Sequence, residues 1–289
     1  MNTEDKHLCD LTILIPALRE AQNLEILIPE IEKILKETGI KHEILIVTIS
    51  SDLETKELAQ KYNINVLEQV ERGYGGALIK GFETAKGEYI VTMDADLSHS
   101  PLFIKDLWNN RLNGDVVISS RYVKGGKAHM PLNRYLLSKI LNFFFKRGLS
   151  LPVSDISSGF RLYSVKTLKG LSFNARDFNI LPEILVRVIT EGWKIKEVPF
   201  VYTPRIHGSS NARVFLFGIA YLKTFYTLWG LRNSIMSSDY DDRAYDSIHP
   251  LQAYWQRKRF RHITDLFSGC GEVLDVGCGS SRIISMLPA

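Results

Sequence analysis

Three features of the chain predict an α/β fold with a doubly wound, mostly parallel sheet and flanking helices. Continuous apolar runs of strand length alternate with segments whose apolar residues recur at helical spacing. Those runs are apolar throughout rather than at every second residue, which is the pattern of strands covered on both faces. With 289 residues, 45% of them hydrophobic and 24% charged, the chain also has the material for a full core.

Leu11 to Pro16 (LTILIP) is the first run, and Leu24, Leu27, Ile28, Ile31, Ile34 and Leu35 then mark the apolar face of a helix that Gly39 closes. Glu43 to Ile49 (EILIVTI) predicts a second buried strand, followed by a polar helix over Thr55 to Lys61 and a short strand around Val66. A glycine-rich turn at Gly73 to Gly76 leads into a helix ending near Lys86, and the next strand runs into Asp94. A helix over Leu102 to Leu112 and a strand over Asp115 to Arg121 complete the regular half. The second half is expected to hold an aromatic-rich helix near Leu132 to Lys146, a loop reading VSDISSGFRLYS, a helix around Leu181 to Glu191 and a strand over Ile195 to Tyr202. In such a sheet ligands gather beyond the carboxyl ends of the strands, where Pro16, Thr48 and Asp94 fall.

The segment Glu88 to Pro101 (EYIVTMDADLSHSP) carries the strongest chemical signal. Alternate residues of an extended chain point the same way, so Asp94 and Asp96 are expected to aim both carboxylates at one point. Hard oxygen ligands of this kind suit Mg²⁺ or Mn²⁺, ions that share the rest of their shell with a substrate diphosphate. A bare D-x-D is equally the sequence of a solvated loop. The apolar run before it and the helix-starting Ser100-Pro101 after it distinguish this one.

Taken in order, LTILIPALRE, RGYGGALIKGFETAKGEYIVTMDADLSHSP, VISSRYVKGG, SDISSGFRLYS and RIHGSSN resemble the family 2 glycosyltransferases of GT-A fold, in particular the dolichyl- and polyprenyl-phosphate mannosyltransferases and their glucosyl relatives. The resemblance covers about Leu11 to Asn233. It implies an enzyme, peripheral at the cytoplasmic face of a membrane, that moves a sugar from a nucleotide-diphosphate sugar of GDP-mannose or UDP-glucose type to a polyprenyl phosphate, with Mg²⁺ or Mn²⁺ as cofactor. By the same resemblance Asp94 and Asp96 hold the metal and donor diphosphate, with Ser98 in the place of a third metal contact. Pro16, Glu20, Ser51, Asp52 and Gly75 fall on the donor side. Arg121, Arg134, Arg205, His207 and Ser209 fall on the acceptor or phosphate side, and Arg121 and Arg134 join the two aspartates as catalytic candidates. Two departures stand out. Leu18 and Arg19 replace a Tyr and an Asn near the nucleotide, and Thr48, Ile49, Ser50, Ser51 and Asp52 stand where the family carries a paired-acid run that grips base and ribose.

The proposed chemistry accounts for these residue types. As the sugar–oxygen bond breaks, the leaving diphosphate gains negative charge, which a carboxylate-held metal stabilises as a Lewis acid. A phosphate monoester, with a second pKa near ~6, is largely ionised at neutral pH and needs no general base. In-line displacement with inversion is therefore expected. Two mutually repelling anions must also be held together, and arginine suits that task because it is always charged and grips phosphate through two donors. Plain structural readings stand beside these: a solvated charge for any single arginine, pairing within the loop for Asp155 and Arg161, a loop-organising hydrogen bond for His207, and a tight turn for Gly73, Gly75 and Gly76.

Val214 to Leu231 is apolar over the length of a membrane span, ~20 residues. Lys223 in its middle and the aromatic residues Tyr221, Phe225, Tyr226 and Trp229 favour a helix lying at a lipid boundary over a true span, with core packing as the third reading. A net charge of +4 favours anionic partners or a membrane surface but is too small for a nucleic-acid footprint. Three cysteines without a C-x-x-C pair, and a polar N-terminus without a signal-peptide pattern, fit a reducing cytoplasmic setting.

Finally, Glu272 to Ile283 (EVLDVGCGSSRI) resembles the first motif of class I S-adenosylmethionine-dependent methyltransferases, with Asp275, Gly277 and Gly279 in place. The chain thus divides into a glycosyltransferase domain over 1–235 and, over 236–289, linker helices with the first strand, turn and helix of a methyltransferase-like unit. One such unit buries too little apolar surface to offset its ordering entropy, so this piece is expected to be inactive and loosely ordered. Two alternatives to a working glycosyltransferase follow: a degenerate sugar-nucleotide-binding module, and a glycosyltransferase–methyltransferase fusion whose second half is missing here.

Overall fold

The structure is a computed structural model that describes residues 8–203, 214–234, 236–247, 250–274, 276 and 282–287. Its first half alternates β1 (Cys9–Pro16), α1 (Ala21–Thr38), β2 (His42–Thr48), α2 (Leu53–Lys61), β3 (Asn65–Glu68), α3 (Tyr74–Thr84), β4 (Gly87–Thr92), α4 (Phe103–Asn109) and β5 (Val116–Ser120). There follow β6 (Lys127–Ala128), α5 (Leu132–Gly148), β7 (Arg161–Ser164), α6 (Ile180–Thr190), β8 (Ile195–Pro199), β9 (Val201–Tyr202), α7 (Val214–Arg232), α8 (Tyr240–Tyr245), α9 (Pro250–Leu266) and α10 (Ile283–Met286). The seven-stranded sheet has the order β3-β2-β1-β4-β7-β5-β8, and β6 pairs with β9 apart from it.

Helices on both faces explain the continuous apolar runs. Along β1, Leu14 packs into one core with Leu78 and Ile184, while Ile13 and Ile15 pack into the other with Leu24, Leu27 and Ile31 of α1. Successive side chains of one strand therefore enter opposite layers, and both must be apolar. Gly39 ends α1 as expected, at φ 68° with its N–H donating to Lys36 O, a conformation that a side chain disfavours. The order reverses direction between β1 and β4, the switch point at which a sheet of this kind opens a crevice.

The sheet is mostly parallel with one exception that periodicity did not reveal. The end of the expected loop, Arg161–Ser164, is β7, a strand antiparallel to both β4 and β5. Four residues are too few to show a period, and its buried arginine hides its strand character. The consequence is functional. Thr92 of β4 and Ile118 of β5 both pair with Arg161, so the residues just before β7 arrive at the carboxyl ends of two parallel strands.

Two further differences concern the ends of elements. Strand β4 stops at Thr92, leaving Asp94 and Asp96 on the following bend rather than on the strand. The expected strand at Glu272 does not form among the described residues, where Leu274 and Val276 are both 86% exposed. A strand needs a neighbour to satisfy its backbone, and none pairs with it there. Asp275, Gly277 and Gly279 lie outside the described residues, as do Arg205, His207 and Ser209.

Candidate active site

The rim beyond β1, β2, β4 and β5 collects most of the expected residues, but it uses several of them differently. Asp94 and Asp96 follow β4 in a bend that turns through Leu97 at φ 61°. The Asp94 side chain is 28% exposed, whereas Asp96 is only 5% exposed and one of its oxygens accepts the Ser98 N–H at 3.0 Å. The Ser98 hydroxyl is buried with no hydrogen-bond partner. Among the described residues no cluster of three or more His, Cys, Asp or Glu side chains assembles. Two carboxylates and an orphaned hydroxyl fit a hard divalent ion such as Mg²⁺ or Mn²⁺, which takes the rest of its shell from water and phosphate.

Two aromatic residues that sequence reasoning passed over border Asp94. His99 Nδ1 accepts the Asp94 N–H at 3.0 Å, and its ring is buried between Phe160 and Phe200. The Tyr74 phenol lies beside the Asp94 carboxylate across Gly159. A methyl group on Gly159 would come within 2.6 Å of the Tyr74 hydroxyl and 3.5 Å of Asp94 Oδ1. Burial, and then the negative charge of Asp94, push the Tyr74 phenol well above its usual range, so it stays protonated. Both residues stand inside motifs already singled out, R-G-Y-G-G and D-A-D-L-S-H, but nothing local marks them; the strand β7 brings Gly159 and Phe160 to them.

On the donor side, Pro16 ends β1 opposite Val47, and half-buried Glu20 accepts from the Asn23 amide at 2.6 Å. Ser51 is exposed beyond β2. Asp52, the acid nearest the place of the missing pair, is the N-cap of α2. Its carboxylate accepts from the Thr48 hydroxyl at 2.8 Å, the Thr55 hydroxyl at 2.9 Å and the Arg19 N–H at 2.8 Å, and is buried. Burial works to raise its pKa, but these donors outweigh it and hold the carboxyl below the ordinary range. Arg19, at φ 59°, is thereby fixed to the second loop. Gly75 also has another partner. Its N–H goes to Arg176 O at 2.9 Å, and a Cβ there would lie 2.7 Å from the Arg176 carbonyl carbon, so the glycine turn is packed against the chain leading into α6.

On the other side, Arg121 follows β5 at the rim as expected, with its Nε and Nη2 donors committed. Nε and Nη2 form a two-point ion pair with Asp155 at 2.7 Å each, and Nη2 also reaches Ser157. Burial works to lower the arginine's pKa; the pair with Asp155 raises it further than burial lowers it, and Asp155 is correspondingly held low. Around this pair, Glu197 accepts the N–H groups of Ser154 and Asp155, Asn142 of α5 accepts that of Ile156, and fully buried Arg161 donates to the carbonyls of Ile156 and Leu181. Arg121 thus organises the SDISSGF segment through Nε and Nη2. Arg134, on α5, is exposed.

A central sheet of this order, with its ligand rim at the switch point and an acidic bend after β4, is the GT-A arrangement. The glucosyl-3-phosphoglycerate synthase of Mycobacterium tuberculosis has a similar fold, both in complex with Mn²⁺, UDP-glucose and phosphoglyceric acid (TM-score 0.61, 20% identity, 78% of this chain and 81% of that one) and in complex with Mg²⁺ and UDP (TM-score 0.61). Residues 12–171 match the model of glycosyl transferase family 2, and the chain belongs to that family. It is 36% identical over 214 residues to a dolichol-phosphate mannosyltransferase of Pyrococcus furiosus, covering 70% of this chain but 59% of that protein, so it spans less than two thirds of that relative. It is 29% identical over 231 residues to an undecaprenyl-phosphate mannosyltransferase of Micrococcus luteus, covering 75% of this chain and 93% of the other.

Proposed function

We propose that the chain transfers a hexose, mannose or glucose, from a nucleotide-diphosphate sugar to a polyprenyl phosphate with inversion, using Mg²⁺ or Mn²⁺. The observation that carries this reading is the bend bearing Asp94 and Asp96 at the switch point, within a chain whose relatives are named as polyprenyl-phosphate mannosyltransferases. Asp94, Asp96 and Ser98 would hold the ion, which supplies Lewis-acid stabilisation of the leaving diphosphate. The chain's own residues do the rest. Pro16, Glu20 and Ser51 border the donor, and the turn through Leu97 brings the Ser98 N–H onto the Asp96 carboxylate. The Arg121–Asp155 pair sets the loop between donor and acceptor, and Arg134, with Arg205, His207 and Ser209, meets the incoming phosphate.

The acceptor is a lipid, and the surface suits one. Among the described residues no helix is long and apolar enough to cross a membrane. Instead Leu136, Ile140 and Phe143 of α5 and Leu222, Tyr226 and Trp229 of α7 stay exposed, while Phe144, Phe145 and Phe225 pack these two helices together. Helix α5 carries Arg134, Lys139, Lys146 and Arg147 and no acidic residue. Aromatic and basic side chains on one helix pair suit an anionic bilayer surface. In this reading residues 1–235 form the catalytic unit and 236–289 a separate segment of methyltransferase type.

A second reading, a sugar-nucleotide-binding module without turnover, is favoured by the Thr48-Ile49 departure together with the capping role of Asp52. Incubation with labelled GDP-mannose or UDP-glucose, polyprenyl phosphate and Mn²⁺ decides between them. The enzyme reading expects lipid-linked sugar that disappears in Asp96→Ala; donor binding without product supports the module instead.

A further inference from the structure

We propose that His99 is the positioning residue of Asp94: by accepting the Asp94 amide at Nδ1 it closes the bend that presents the two carboxylates. The inference rests on the reading of Asp94 and Asp96 as the metal pair. The bend from Asp94 to His99 is pinned at three points. Ser98 N–H donates to Asp96 Oδ1 at 3.0 Å, Leu97 takes the left-handed conformation at φ 61°, and Asp94 N–H donates to His99 Nδ1 at 3.0 Å, five residues on. The last of these joins the two ends of the bend. It needs the imidazole in one place, and an aromatic slot provides that place.

The ring stacks on Phe160 with centroids 4.8 Å apart and planes 17° from parallel, and meets Phe200 edge-on at 6.0 Å. Phe103 closes the cluster against Phe160 and Phe200. A ring with Nδ1 accepting carries its proton on Nε2 when neutral, and Nε2 is 3.9 Å from Asp94 Oδ2. The two nitrogens therefore face the backbone and the carboxylate of the same residue. An amide left without an acceptor in a partly buried bend is unfavourable, so a bend lacking this imidazole would turn the Asp94 N–H elsewhere and carry its carboxylate with it. Partners that orient metal ligands in this way commonly set metal affinity by about 10–100-fold.

The test uses the full chain and reads Mn²⁺ binding directly, by loss of the free-ion electron paramagnetic resonance signal, with UDP or GDP present. His99→Phe keeps the stack and removes the acceptor; the expected result is about tenfold weaker Mn²⁺ binding with an unchanged circular dichroism spectrum. His99→Asn removes the stack and returns an acceptor near the Nδ1 position. It should melt at a lower temperature yet recover most of the Mn²⁺ affinity, which a merely structural role would not produce. Should His99→Phe fail to fold, His99→Ala against His99→Asn makes the same comparison, since both lack the ring and only one has the acceptor. Folded His99→Phe that binds Mn²⁺ like the unaltered protein, or His99→Asn no better than His99→Ala, overturns the proposal. Asp94→Asn separates the two levels: if it binds Mn²⁺ as well as the unaltered protein, the metal reading itself falls, whereas loss there with full binding in His99→Phe removes only the role of His99.

Discussion

Gly159 shows how much a single hydrogen atom decides at this rim. The Tyr74 ring is held by stacking on Phe178 at 4.6 Å, so its hydroxyl has no easy retreat from a methyl group placed 2.6 Å away. Gly159→Ala should therefore displace Tyr74 and, with it, the contact that Tyr74 makes to Asp94. An error of about 1 Å at a catalytic ligand costs on the order of 10²-fold in rate, and that loss in sugar transfer is expected while the melting temperature moves little. Transfer at the unaltered rate would show that the Tyr74–Asp94 contact is incidental. Asp52 makes the complementary point. As an acid near the nucleotide motif it invites a ligand role, yet Oδ2 already accepts from Thr48, Thr55 and Arg19. What it contributes is the joint between two loops, with a cap worth about 1 kcal/mol.

Among the elements, β7 has the greatest effect on the site, because an antiparallel strand between β4 and β5 delivers its preceding loop to the ligand rim. That loop is then fastened by the Arg121–Asp155 pair. Asp155 is buried, and with Arg121 bound its carboxyl titrates below the ordinary range despite burial. A carboxyl whose folded pKa is depressed stabilises the fold above its unfolded value, near ~3.9, and that stability is lost as pH falls through the folded value. Urea midpoints measured from pH 7 down to pH 3 should decline steeply below about pH 4 in the unaltered protein. Asp155→Asn should lower the unfolding free energy at pH 7, by about 3–5 kcal/mol for an uncompensated buried Arg121, and flatten that decline. An unchanged acid limb in Asp155→Asn would remove the pair from the account.

At the scale of the whole molecule the apolar material is divided between two cores inside and one helix pair outside. Tyr226 is 78% and Phe143 70% exposed on that helix pair. The chain should float with vesicles containing anionic lipid, weaken as salt screens Lys139, Lys146 and Arg147, and bind less when Phe143 and Tyr226 are both changed to Ser. Binding that ignores both lipid charge and these substitutions would send the acceptor route to another surface. The tail is held at the base of the same pair: fully buried Arg232 of α7 donates to Leu149 O at 3.1 Å and to both oxygens of Asp239 at 2.5 Å, which ties α7, the end of α5 and the approach to α8 into one joint.

The alternation of apolar runs was sufficient to predict the parallel half of the sheet, and D-A-D together with its flanks marked where the acidic pair follows β4. Both signals are local: periodicity reports which faces are covered, and a short acidic run after a strand reports where ligands collect. What a side chain does with its polar atoms is not local. Asp52, Gly75 and Arg121 each stand at the expected rim, yet partners from 33, 101 and 34 residues away occupy them. His99 and Gly159 became legible only when β7 laid the segment before it across the ends of β4 and β5. Sequence alone determined the layers and the place of the acidic pair, since burial pattern and composition encode those directly. Tertiary structure decided which polar groups remain for a ligand, because hydrogen bonds between distant segments are settled only when the sheet brings them within 3 Å.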